Sequence, residues 1–390
     1  MEKDQSKIIR EQASRSATRE HSVPLYLTSS FIFDNAEQGR AIFAEEEVGM
    51  VYSRYANPNT TEFINKVCIG EQAEAGLAFA SGMAAVFACF AGLVRQGDHI
   101  VSSRAIFGST HQLFTQLFPR WGVTHTYVEA VDNQAWEDAI QENTKIVFLE
   151  SPSNPGLELA DLEFVGGLKA KHPNVIFIID NCFATPYLQK PLQYGFDLSV
   201  HSATKYMDGQ GRVLGGVIVG NGQLIEELRF FIRHTGPAMS PFNAWILSKS
   251  MDTLGLRMDR HCSSALALAE TLEKHPEIED VKYPFLPSHP QYQLAIKQMK
   301  AGGGIVTFEV KGGAERAFRF IDALNMILYT SNLGDARSIA THPGSTTHSK
   351  LTNDEKVSLG IRPGTIRLSV GLEDKDDIIN DILQALESTR

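Results

Sequence analysis

Val175-Ile176-Phe177-Ile178-Ile179-Asp180 is a continuous apolar run closed by a carboxylate. No polar residue alternates within it, so the strand it predicts is buried on both faces, as in a parallel sheet covered on both sides. Outward from it the same kind of run recurs, at residues 75–79, 99–101, 123–128 and 145–150 before it and 198–201 after it. Helical patterns fall between these runs, at residues 84–94, 111–118, 134–141 and 162–170. The alternation predicts an α/β fold, a mostly parallel sheet with helices on both faces. Ligand chemistry in such folds gathers at the carboxyl ends of the strands, where Asp180 stands. A carboxylate there is costly unless it meets a positive partner. The plain alternative is a structural carboxylate capping the turn at Asn181-Cys182.

The flanks differ in character. Residues 1–50 read as an extended arm, with a helical patch at 7–15 and the run Pro24-Leu25-Tyr26-Leu27. Such an arm reaches across a subunit interface, or else forms a loosely packed cap. Residues 51–247 carry the sheet and its helices. Residues 248–390 read as a smaller α+β domain, with strands at 304–310 and 365–370 and helices at 314–323 and 376–387. A long amphipathic helix over 243–273 runs into it.

With 390 residues the chain has room for two to three domains. Its 43% hydrophobic and 21% charged content fits a soluble globular protein. A formal charge of -10 argues against general nucleic-acid binding, which needs a basic face. No apolar run approaches the roughly 18 residues a membrane span requires. Met1-Glu2-Lys3-Asp4-Gln5 is polar and does not read as a signal peptide. Cys68, Cys89, Cys182 and Cys262 share no metal-type spacing and read as reduced thiols. Together these features point to the cytoplasm.

The chemistry gathers around Ser202-Ala203-Thr204-Lys205-Tyr206, which follows the last parallel-type run. A lysine between hydroxyl residues at a strand end can condense with an aldehyde while the hydroxyls hold a phosphate. Pyridoxal 5'-phosphate (PLP) needs both, and its ring nitrogen is a cation suited to Asp180. Ser81-Gly82-Met83 opens a helix, where unpaired N–H groups and the helix dipole favour phosphate; an ordinary serine cap is the alternative. Tyr52 and Arg54 lie on one side of an extended segment and offer a phosphate two donors. Asn154, between prolines, can donate to a ring oxygen. Arg367 lies inside the strand run Thr365-Ile366-Arg367-Leu368-Ser369-Val370, where an inward guanidinium wants a carboxylate. Gly209-Gln210-Gly211 lacks the third glycine and the following helix of a dinucleotide loop. His342 and His348 do not have a metal-ligand spacing, so no metal is expected.

Taken together, these residues, from Tyr52 to Ile366-Arg367-Leu368-Ser369-Val370-Gly371-Leu372-Glu373, resemble the Cys/Met-metabolism family of PLP enzymes, the cystathionine γ-synthase-like group. The resemblance implies the fold type I architecture, PLP as cofactor and a homotetramer of two active dimers. By position, Lys205 is the Schiff-base lysine and Asp180 the partner of the ring nitrogen. Gly82, Met83, Ser202 and Thr204 hold the phosphate, and Tyr52 and Arg54 reach the phosphate of the neighbouring subunit. Asn154 binds near the ring oxygen, and Arg367, helped by Ser331, holds a substrate α-carboxylate. Phe107 stands where many relatives have a tyrosine over the ring; it keeps the stacking but cannot transfer a proton. Tyr52 from the neighbouring subunit then becomes the expected proton donor to the leaving group.

The loop Gly209-Gln210-Gly211-Arg212-Val213-Leu214-Gly215-Gly216 and the stretch Ser331-Asn332-Leu333-Gly334-Asp335 are similar to the branch that joins sulfide to O-succinylhomoserine. Ser109 stands where methionine γ-lyases have cysteine. The expected reaction is γ-replacement, in which sulfide displaces succinate from an O-acylhomoserine to give homocysteine for methionine biosynthesis. The rivals are cysteine as nucleophile, a γ- or β-lyase, and a non-catalytic PLP-binding protein, against which the full set Lys205, Asp180, Arg54 and Arg367 argues. Arg104 and Arg212 are the candidates for reading the distal succinyl carboxylate, and either can pair with a structural carboxylate instead.

Overall fold

The computed structural model describes residues 3–390. Among them, seven strands form the larger sheet: β1 (Ala75–Phe79), β2 (His99–Ser103), β3 (Thr124–Val128), β4 (Thr144–Glu150), β5 (Ile176–Asp180), β6 (Leu198–Ser202) and β7 (Gly216–Gly220). Their order is β1-β7-β6-β5-β4-β2-β3. Strands β3, β2, β4, β5 and β6 are mutually parallel, and β7 runs antiparallel to both of its neighbours.

The unbroken apolar runs have the burial they predict. Phe148 and Ile178 face one side, against the helices Gly82–Ala91 and Gly222–Thr235. Leu149 and Ile179 face the other, against Trp136, Leu162 and Val165. Consecutive side chains therefore feed two different cores, which is what a period of two imposes on a strand buried on both faces. A third core lies under β7, where Val217 and Val219 meet Phe63, Leu247 and Met251 of two further helices, Pro58–Glu71 and Pro241–Met251.

The C-terminal part adds a second sheet from β8 (Ile278–Lys282), β9 (Ile305–Val310), β10 (Leu328–Tyr329), β11 (Ile339–Thr341) and β12 (Thr365–Ser369), in the order β10-β11-β12-β9-β8. On β12 the alternation places the site. Ile366 and Leu368 join the core with Leu268, Phe320 and Leu386. Arg367, between them, points the other way, toward residues 154 and 331–332.

Three local expectations need correction. The continuous helix over 243–273 is two helices, Pro241–Met251 and Leu254–Glu273. At the break, side chains capture the released carbonyls: Gln5 Nε2 donates to Asp252 O at 3.2 Å and Arg257 Nη2 to Ser250 O at 3.0 Å. The Asp252 carboxylate accepts from the buried Lys66 at 2.6 Å. The patch at 7–15 is helical only over Asp4–Arg10. The pattern at 111–118 is a short helix, Gly108–Gln112, continued by a wider turn over Leu113–Leu117 and a tight one at Phe118–Trp121 where Pro119 intervenes. Among the described residues no helix is long and apolar enough to cross a membrane.

Candidate active site

The carboxyl ends of β4, β5 and β6 and the N-terminus of the helix Gly82–Ala91 open on one cavity of about 680 Å³. Lys205 enters it from the loop that joins β6 to β7, and its Nζ donates to Asn332 Oδ1 at 2.6 Å. Burial shifts the Lys205 amine below its usual value, and the Arg367 charge acts in the same direction against an opposing effect of Cys182. The loop needs its glycines: Gly209 has φ of +70°, and a Cβ there would fall 2.1 Å from the Arg257 guanidinium.

Two carboxyl groups end adjacent strands. Glu150 and Asp180 are register partners, and no cation pairs with either among the described residues. Asp180 keeps part of its surface on the cavity, whose walls withhold bulk water; burial pushes its carboxyl up to about 6, eased by the Cys182 N–H that donates to it at 2.9 Å. Burial and the neighbouring Asp180 raise Glu150 well above the ordinary carboxylate range, while the Phe107 N–H donates to it at 2.6 Å. Two such groups together favour a cation between or beside them.

At the other end, Ser81 Oγ accepts from Ala84 N at 3.1 Å and so caps the helix Gly82–Ala91. Its cap leaves the N–H groups of Gly82 and Met83 facing the cavity as anion donors. A Cβ on Gly82 would sit 2.7 Å from Ser202 Oγ, so the glycine keeps this cradle open. Thr204 Oγ1 is engaged with Gly215, accepting from its N–H at 3.1 Å.

Arg367 is 1% exposed. Its Nη1 donates to Asn154 Oδ1 at 3.0 Å and its Nη2 to the carbonyls of Asn332 at 3.1 Å and Ser331 at 3.4 Å. Its Nε has no partner, and no carboxylate pairs with it among the described residues. Burial brings the guanidinium down to about 10. A charge kept in this state on a cavity wall suits an incoming carboxylate.

The chain matches the Cys/Met metabolism PLP-dependent enzyme family over residues 5–387. It belongs to that family. It is 46% identical over 378 residues to the O-succinylhomoserine sulfhydrylase of Pseudomonas aeruginosa, covering 97% of this chain and 94% of that one. It is 42% identical to an L-methionine gamma-lyase of Fusobacterium nucleatum, covering 94% and 93%. A Campylobacter jejuni crystal structure that carries N'-pyridoxyl-lysine-5'-monophosphate superposes with a TM-score of 0.95 at 33% identity, covering 99% of this chain and all of that one.

As a Cys/Met-metabolism PLP enzyme, the chain offers the donor set that its cofactor requires. An amine, a carboxylate pair for a cationic ring nitrogen, and helix N–H groups with the Ser202 hydroxyl for a phosphate all face one space. Of the residues singled out from sequence, Gly82, Met83, Phe107, Asn154, Asp180, Ser202, Thr204, Lys205, Ser331 and Arg367 all line it. Ser331 turns its carbonyl, rather than its hydroxyl, toward Arg367.

Tyr52 and Arg54 lie elsewhere. The Arg54 guanidinium lies 5.5 Å from the Tyr52 ring centroid and 4.8 Å from that of Tyr55, donates to the Arg233 carbonyl, and lines a separate cleft. Arg212 is drawn back onto Asp208, at 2.9 Å, and onto Ser250 Oγ, away from the cavity. Of the two arginines considered for the succinyl group it is therefore excluded. His342 holds a turn, with its ring nitrogens 2.9 Å from Ser345 Oγ and from Pro363 O. Sequence reasoning assigned no role to Glu150 or Asn332. Glu150 ends a buried run as Asp180 does, and that signal was legible; Asn332 entered only through the resemblance of the stretch Ser331–Asp335, which did not mark it as a partner of Lys205.

Proposed function

We propose that this enzyme performs γ-replacement on O-succinylhomoserine, with sulfide as nucleophile and homocysteine and succinate as products. The observation that carries this reading is one cavity shared by the Lys205 amine and the buried, carboxylate-free Arg367 guanidinium. One group fits a proton transfer at Cα, the other the α-carboxylate of an amino acid. The relative at 46% identity and Ser109 favour replacement over lyase chemistry.

In this reading Lys205, Asp180 and Phe107 hold the ring, Gly82, Met83, Ser202 and Thr204 hold the phosphate, and Asn154 lies near the ring oxygen. PLP, when bound, supplies an electron sink for the charge that develops on the substrate carbons. Arg367 anchors the α-carboxylate, and Lys205 Nζ, aimed by Asn332, accepts the Cα proton. The C–O bond at Cγ breaks, succinate leaves with the bonding pair, and the sulfur of hydrosulfide forms the new bond at Cγ. Tyr52 and Arg54 act from the neighbouring subunit, so the working unit is a dimer, assembled in pairs as a homotetramer. Residues 51–247 carry the cofactor, and residues 248–390 bring Arg367.

Incubation with O-succinylhomoserine and either sulfide or cysteine, with product analysis, tests the reaction. Homocysteine is expected to dominate with sulfide. Cystathionine as the faster product, or a keto acid and ammonia formed regardless of nucleophile, would replace this reading with one of its rivals.

The buried carboxyl gives a second prediction. In the folded apoprotein Asp180 titrates at about 6 against an ordinary 3.8, so the fold binds that proton more tightly than the unfolded chain does. Its contribution to stability is therefore full below the ordinary value and is lost as the pH rises through 6. A cation beside Asp180 removes this penalty, so the gain in Tm on adding PLP should grow between about pH 4 and about pH 6 and level off above it. Asp180→Asn should flatten that dependence. A gain that is equally pH-dependent in the variant removes Asp180 as the ring-nitrogen partner.

A further inference from the structure

A second cavity, of about 190 Å³, abuts the first, and Phe107 and Thr347 line both. Its lining also holds the polar side chains of Ser109, His111, Gln112 and His348. Ile106, Leu351 and Leu359 contribute apolar wall, and Arg104 and Lys350 supply cations. Arg104 Nε donates to Glu129 at 2.8 Å, with both side chains open to solvent at 42% and 51%. An exposed ion pair of this kind contributes little and exchanges readily for another carboxylate. The guanidinium also lies 5.7 Å from the Tyr127 ring centroid, which restricts its orientation independently of Glu129. Glu355 is the other carboxylate near Arg104 and His111.

We propose that this annex binds the terminal carboxylate of the substrate's acyl group, so that Arg104 and Lys350 select a succinyl over an acetyl ester. The proposal rests on the γ-replacement reading and names the specificity device within it. A succinyl group continues past its ester carbonyl with two methylenes and a carboxylate, which suit the apolar wall of Ile106, Leu351 and Leu359 and the cations Arg104 and Lys350. An acetyl group ends in a methyl and leaves Arg104 with Glu129. Phe107 stands between the two spaces, so the ring that faces the main cavity also borders the acyl chain.

The test compares Arg104→Gln, Lys350→Met and the double variant in the cofactor-loaded enzyme, with sulfide and either O-succinylhomoserine or O-acetylhomoserine. The succinyl-to-acetyl ratio of kcat/KM is expected to fall by about 10- to 100-fold in the double variant, mainly through KM for the succinyl ester. An unchanged ratio, including equal losses on both esters, overturns the proposal. Calorimetric titration with succinate, and with acetate as the control ion, reads the annex without turnover. The wild-type protein should bind succinate more tightly, and the double variant should bind the two ions alike. Equal binding by the wild type overturns the annex even if homocysteine is made. Selective succinate binding that the double variant loses supports the annex, even in an enzyme whose product analysis has replaced the reaction.

Discussion

Lys205→Ala is expected to lower homocysteine formation by about 10⁴-fold, the loss associated with removing a positioned proton-transfer group. The side chain ends in the main cavity with one hydrogen bond, to Asn332, and burial already disfavours its charge. Its removal therefore takes little from the fold, and the variant should melt close to the wild-type temperature. The proposed reach of Arg54 into the neighbouring subunit's site gives a sharper test. Arg54→Ala should be inactive too, because the phosphate of the adjoining site loses a donor. Mixed and reassociated in equal amounts, the two inactive variants should recover about one quarter of wild-type activity. Half of the dimers are then mixed, and each mixed dimer has one site with both residues intact. No recovery after verified subunit exchange would put Arg54 outside the neighbour's site.

Arg367→Met separates function from stability. With its α-carboxylate anchor gone, kcat/KM for O-succinylhomoserine should drop by about 10²- to 10³-fold. Stability should stay within about 1 kcal/mol of wild type, or rise, because a buried cation without an ionic partner is replaced by an apolar side chain of similar length. Thermal unfolding of the apoprotein checks the second part. A large fall in Tm would mean that the bonds to Asn154, Ser331 and Asn332 hold the two sheets together, and that the arginine is structural.

Asp180, Lys205 and Arg367 were legible in sequence for one reason: each sets a charge at the end of, just beyond, or inside an apolar strand, where water cannot solvate it. Their meeting was not legible, because it depends on sheet order. Glu150 becomes a partner of Asp180 only once β4 and β5 lie side by side. The helix break at Asp252 escaped notice because the apolar period continues through it, and only Lys66, far away in sequence, reveals the demand on that carboxylate. Arg212 was misleading for the opposite reason. It lies close to Lys205 in sequence, yet Asp208, four residues before it, claims it locally. Very short strands such as β10, with two residues, are too brief for any alternation to register.

The loop that carries Lys205 is fastened at both ends, since β6 and β7 pair along Leu198–Ser202 and Gly216–Gly220. Neither end can lift without opening the middle of the larger sheet. With both ends of the loop held, the side-chain torsions of Lys205 are the nearest source of motion for its amine. In the proposed reaction, carrying a proton between substrate carbons then asks only for a local swing.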